Sequence, residues 1–309
     1  MQTLLTRLYQ YQKERFPLLV HLPLISAFSF SAIGYSRALR NVSGFIPVTD
    51  FIVCVFTNIT LFFMLRVADE HKDKEEDARY RSYLPVPRGL VSLKEIRYTT
   101  YLLFIVATTI NLLFYPALLP LYLAILLYLL LMRYEFFVRA WLKQHQVAYI
   151  LSHMFIIPIV DIYASSFDWK LNGADASVGL LYFFAVSYLN GLIMELGRKM
   201  RVEETEEYGV VSYTKLWGSR AAPAIWLCIL LVDTAVAWLA LQHAHYGWES
   251  FIILIVVAII TALPAVFFIN RPARARAKGI EIMSLLWTLA MYLLLGGIPL
   301  LLRLVNDNI

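Results

Sequence analysis

The chain has 309 residues, of which 60% are hydrophobic and only 16% charged, with a formal net charge of +5. Soluble globular proteins carry less apolar and more charged sequence, so a soluble enzyme is excluded and a polytopic membrane protein is expected. The positive excess points to basic loops at a membrane surface, in contact with lipid headgroups, and no nucleic acid is expected as a partner.

In chain order, residues 1–15 are polar and amphipathic, with no short basic region, apolar run and small-residue cleavage site, so the first apolar run is expected to stay in the mature protein. About 20 mostly apolar residues are needed to cross the hydrocarbon core. Nine segments qualify: 16–36, 46–67, 97–115, 117–133, 147–166, 176–196, 221–242, 249–269 and 281–303. Only Tyr115-Pro116 separates the third from the fourth, which predicts a tight hairpin. With the amino terminus inside, the inner segments hold 23 of the 27 Lys and Arg residues, leaving Arg37, Arg40, Lys170 and Arg303 outside. The asymmetry predicts a cytoplasmic amino terminus and an outer carboxyl terminus. The expectation is a single all-α transmembrane domain over 1–309 with nine membrane helices, and its size and lack of a transit peptide suit a bacterial inner membrane. Cys54 and Cys228 lie within apolar runs and read as packing residues.

Two inner loops carry carboxylates in quantity. The first follows span two, reading RVADEHKDKEEDARYRSYLPVPRG from Arg66 to Gly89. Asp69, Asp73 and Asp77 recur every four residues, so a continuing helix would set all three on one face. Lys72, Lys74, Arg79, Arg81 and Arg88 are interleaved with them. A solvated helix laced by pairs such as Glu70 with Lys74 would look similar from charge alone. The second loop follows span six, reading ELGRKMRVEETEEYGVVSYTKLWG from Glu195 to Gly218. It has acids at Glu195, Glu203 and Glu207, Arg and Lys among them, and a closing glycine. Two acidic rims across one bundle can hold Mg²⁺ against a diphosphate, which one rim cannot do. The remaining inner loops, RYEFFVRAWLKQHQ and NRPARARAKG, read as basic anchors without an acidic partner set.

These two loops resemble those of the UbiA superfamily of intramembrane prenyltransferases, whose nine helices surround a central cavity. That superfamily carries an NDxxDxxxD motif after the second helix and a DxxxD-like motif after the sixth. Asp69 and Asp73 match the last two aspartates of the first motif, and Pro85-Val86-Pro87-Arg88-Gly89 resembles the end of its loop. Glu195, with Glu203 or Glu204, occupies the place of the second motif. Gly209-Val210-Val211-Ser212-Tyr213 through Leu216-Trp217-Gly218 resembles its tail. Leu65-Arg66 stands where the superfamily has Asn-Asp, and Lys199 sits midway between Glu195 and Glu203. Asp77 is a candidate to replace the lost carboxylate, and Arg66 a candidate to bind a phosphate oxygen through its planar donors.

The resemblance implies a Mg²⁺-dependent enzyme acting on an isoprenyl diphosphate. Asp69, Asp73 and Glu195 are the expected catalytic carboxylates, with Asp77, Glu203 and Glu204 joining them around the metal. Arg66, Lys72, Arg81, Arg198 and Lys199 are the expected diphosphate contacts. The prenyl cation would pass to a lipophilic, aromatic acceptor, or close on its own chain as in the superfamily's terpene cyclases. Nineteen tyrosines and nineteen phenylalanines could wall such a cation, though most aromatics in membrane spans serve packing. Asn58, Asn190 and His153 are polar residues within spans and candidate cavity contacts, with interhelical hydrogen bonding as the alternative for the two asparagines. His153 and Asp161, eight residues apart, share a face and are candidates to contact an acceptor or serve as a base, with a packing pair near the outer end as the alternative; Asp233 has no evident partner. A transporter or non-catalytic lipid-binding protein is the competing class. Acids clustered at the inner rim and not at midplane disfavour it.

Overall fold

The computed structural model describes residues 3–206 and 212–306. Among them are nine helices long and apolar enough to cross a membrane, as the composition predicts, and the chain is an integral multi-pass membrane protein. In order, the elements are α1 (Leu4–Arg15), α2 (Leu18–Leu39), α3 (Val48–Lys72), α4 (Lys74–Tyr80), α5 (Leu93–Phe114), α6 (Leu119–Arg133), α7 (Arg139–Gln144), α8 (Gln146–Met154), α9 (Ile156–Trp169), α10 (Leu180–Arg198), α11 (Tyr213–Trp217), α12 (Ala221–His243), α13 (Trp248–Asn270), α14 (Arg274–Tyr292) and α15 (Ile298–Asn306).

Local chemistry accounts for the punctuation. Ser92 and Glu95 form a capping box that starts α5, each side chain bonded to the other's backbone N–H. The fifth span is two helices, α8 and α9, meeting at Phe155, because Pro158 has no N–H to offer the carbonyl of Met154. The ninth span is interrupted by a π-helical segment, Leu293–Gly297. The Arg271–Lys278 loop expected before that span is largely taken up into α14, which begins at Arg274.

Helix α10 packs on α12 and α14, α13 fills between those two, and α2 lies against α9 and the π segment. Trp226 and Trp287 are fully buried at these contacts. Trp226 Nε1 donates to the Ile193 carbonyl (3.0 Å) and Ser284 Oγ (3.1 Å), joining α10, α12 and α14, so its ring is buried without an orphaned N–H. Trp287 Nε1 donates to Asp233 Oδ2 (2.7 Å), so Asp233 does have a partner, one helix away. The backbones of α2 and the π segment nearly touch: a Cβ on Gly296 would lie 1.9 Å from the Ser31 carbonyl oxygen. Neither backbone can yield, and Gly296→Ala is expected to destabilise the protein by about 3 kcal/mol, read as a lowered melting temperature in detergent.

A second apolar cluster, around Tyr11, Phe16, Phe63, Val67, Val91 and Ile96, seats α1 on the charged end of the bundle. Three ion pairs fasten it there: Arg7–Glu95 (2.6 Å), Arg15–Glu70 (2.5 Å) and Glu14–Arg88 (2.7 Å).

Candidate active site

Helix α3 delivers Asp69, Glu70 and Lys72 in its last turn, then kinks at Asp73 (φ −92°, ψ 6°) into α4. The even four-residue spacing therefore does not produce one face of three equivalent carboxylates. Asp77 is buried and held by Arg81 (2.7 Å), and Glu70 by Arg15 and by Arg66 (3.5 Å). Arg66 and Arg81 thus face protein carboxylates, and the pairing expected for Glu70 with Lys74 is replaced by pairing with Arg15 and Arg66. Asp69 and Asp73 differ: half-buried, they make no ion pair and no side-chain hydrogen bond among the described residues. Burial pushes the Asp73 carboxyl above its ordinary range; Lys72 opposes the shift and Asp77 adds to it.

The second loop is built the other way round. Glu195, at the end of α10, is buried and clasped by Arg198 (2.6 Å) and Lys199 (2.7 Å) three and four residues on. Glu203 and Glu204 stand exposed on a short turn, Glu203–Thr205, and do not gather with Glu195. Glu207 and Gly209-Val210-Val211 lie outside the described residues. Among the described residues no three of His, Cys, Asp and Glu converge on one point. Mg²⁺, however, commonly binds through one or two carboxylates and completes its shell with water and substrate phosphate. Two unpaired carboxylates one helical turn apart fit that requirement.

The two loops meet. Arg198 stands close enough to Asp69 for each charge to act on the other. Tyr213 opens α11, which docks on α10 through its N–H to the Lys199 carbonyl (3.2 Å), and its ring lies under the Lys199 ammonium (5.6 Å). The result is free carboxylate from the first loop facing cation from the second.

Of the candidate cavity residues, Asn58 donates to Ser29 Oγ (2.9 Å), the interhelical alternative. Asn190 is 1% exposed with neither amide atom hydrogen-bonded. His153 lies at the charged end and not near the opposite one: it stacks on Tyr149 (3.9 Å between ring centres), and Nε2 is 4.0 Å from Glu135 Oε2. It does not pair with Asp161, which accepts from Ser187 and Tyr292 deeper in the bundle.

Residue-by-residue reading missed Glu135. Its loop, expected to be a basic anchor without acidic partners, folds inward, and the Glu135 carboxylate forms an ion pair with Lys72. The available signal was a single acid among the cations of Arg133–Gln146. Tyr149, which accepts from Lys72 Nζ at 2.8 Å, gave no signal among so many tyrosines.

A family model described as the UbiA prenyltransferase family matches residues 27–289. Two solved structures share the fold. One is of digeranylgeranylglyceryl phosphate synthase, with a TM-score of 0.63 and 16% identity over 95% of this chain and 99% of that one. The other is of a UbiA homolog from Aeropyrum pernix K1, with a TM-score of 0.61 and 18% identity over 93% and 98%. No curated protein matches the chain.

Proposed function

The chain belongs to the UbiA prenyltransferase family, and on that premise we propose that it is a Mg²⁺-dependent intramembrane prenyltransferase that ionises an isoprenyl diphosphate and passes the prenyl group to a lipophilic, aromatic acceptor. One observation carries the reading: Asp69 and Asp73 are half-buried and unpaired while Glu70, Asp77 and Glu195 are each held by a cation. Leaving two carboxylates short of partners in a partly dry site is unfavourable unless a cation arrives with the substrate.

Asp69 and Asp73 would hold the Mg²⁺, which when bound would supply positive charge to stabilise the diphosphate as a leaving group. Lys72, Arg198 and Lys199 would take the remaining phosphate oxygens. Glu195 fixes two of these cations, so its part is to aim them rather than to bind metal. Arg66 and Arg81, already committed to Glu70 and Asp77, serve to keep those acids from competing for the metal. With 23 of 27 Lys and Arg residues on that side, the diphosphate is expected to enter from the cytoplasm.

The test is pyrophosphate release by purified protein supplied with Mg²⁺ and isoprenyl diphosphates of graded length, with and without phenolic acceptors. Acceptor-dependent release is the expected result. Release without acceptor, yielding a hydrocarbon or alcohol, would make the protein a cyclase, and no release at any chain length would leave a transporter or lipid-binding protein.

A further inference from the structure

The turn between α6 and α7 holds three consecutive residues in the left-handed region: Glu135 (φ 50°), Phe136 (φ 51°) and Phe137 (φ 61°). None is glycine, and each L residue there costs about 1–2 kcal/mol. Such outliers persist only where the surroundings over-determine them. The strained turn carries one carboxylate inward. Glu135 is 5% exposed, while Tyr134, Phe137 and Val138 around it face outward. Phe136 pins the turn, its ring against those of Tyr128 (5.6 Å) and His153 (5.7 Å).

The buried carboxylate meets Lys72, which lies in sequence between the unpaired Asp69 and Asp73. An ammonium has three N–H donors. Glu135 takes one and Tyr149 Oη the second, with the Tyr149 ring also 4.7 Å from Nζ. The third is left for a ligand. Without Glu135, a flexible Lys72 would fall onto the neighbouring free carboxylates and fill the place of the metal. Stability is a poor account of the pair, because buried ion pairs seldom outdo apolar packing and this one also carries backbone strain.

We propose that Glu135 is a positioning residue: acting through Lys72, it holds the ammonium off Asp69 and Asp73 and presents its remaining N–H to a diphosphate oxygen of the substrate. The proposal rests on the diphosphate-binding reading above and adds to it the device that keeps metal and cation sites separate.

Calorimetric titration of the full-length, detergent-solubilised protein with inorganic pyrophosphate and Mg²⁺ tests it without requiring turnover. Glu135→Ala is expected to weaken pyrophosphate binding about tenfold and to raise KM for the isoprenyl diphosphate by a similar factor, with kcat within about threefold of wild type. Lys72→Met should lose as much, and the double variant no more than Lys72→Met alone, since one residue acts through the other. Should Glu135→Ala fail to fold, Glu135→Gln carries the test: its amide oxygen still accepts from Lys72 but without charge, and binding should fall about threefold. Unchanged pyrophosphate affinity in a folded Glu135 variant, or additive losses in the double variant, would overturn the positioning role and leave the diphosphate reading standing. Wild-type protein that binds no pyrophosphate would overturn both.

Discussion

Asp73→Ala is expected to lower pyrophosphate release about 10³-fold, the effect of removing a group that acts on developing charge, while leaving the melting temperature unchanged or slightly raised. The two halves of this expectation have one cause. Asp73 has no ion-pair or side-chain hydrogen-bond partner among the described residues, so its removal orphans nothing. Burial and the Asp77 charge push its carboxyl upward in the folded state, with Lys72 only partly opposing them. A carboxyl raised above its unfolded value binds its proton more tightly when folded, so at neutral pH its ionised form weakens the fold. Truncation relieves that penalty and loses only the proposed metal contact. Asp77→Ala should behave in the opposite way: it leaves Arg81 without its carboxylate and lowers stability, but Mg²⁺ dependence stays as in wild type. A pyrophosphate-release assay with a Mg²⁺ titration, alongside thermal melting, separates the two. Retained release in Asp73→Ala would place the site elsewhere.

The contrast between Asp73 and Asp77 also marks the limit of what the sequence revealed. Nine spans and their alternation were legible because apolar length and Lys/Arg bias act locally and additively along the chain. Which carboxylates are free was not, because that depends on a kink at Asp73 and on cations distant in the chain, as in Arg15–Glu70, 55 residues apart. The second loop was misread for a different reason. Its acids were matched to the first loop by spacing, yet Arg198 and Lys199 stand at the i+3 and i+4 positions from Glu195, where helix geometry forces pairing. That signal was in the sequence. Glu135 had no comparable signal, since no Gly or Asn announces a left-handed turn in YEFFV, and the aromatic packing and the Lys72 pair that hold it come from other helices. Asp233 likewise gained a partner only when Trp287, 54 residues on, folded against it.

The largest loss of stability is expected at the opposite end of the bundle, from Asp168→Ala. Asp168, fully buried on α9, accepts from Ser36 Oγ (2.7 Å) and pairs with Arg37 (2.9 Å) and Arg40 (3.0 Å), all from the last turn of α2 or just beyond it. Arg37 is itself buried and spends its other donors on the Gly44 carbonyl (2.8 Å) and that of Ser43, so it cannot swing out to water when its carboxylate is removed. An uncompensated buried guanidinium costs about 3–5 kcal/mol, whereas an exposed pair such as Lys143–Glu76 contributes about 1 kcal/mol at most. Asp168→Ala should therefore melt far below wild type, and Asp168→Asn, which keeps some hydrogen bonding, in between. Below the melting transition, pyrophosphate affinity should equal wild type, because α2 and α9 meet here a membrane's thickness from Asp69 and Asp73. Charge is used in opposite ways at the two ends: at Asp168 the carboxylate is matched within the chain by two guanidiniums and a hydroxyl and the benefit is fold stability, whereas at Asp73 no protein cation matches it, which is the basis for proposing that a ligand does. An Asp168 variant that lost pyrophosphate affinity while still folded would break that division, and would mean that the junction of α2 and α9 reaches the site through the bundle.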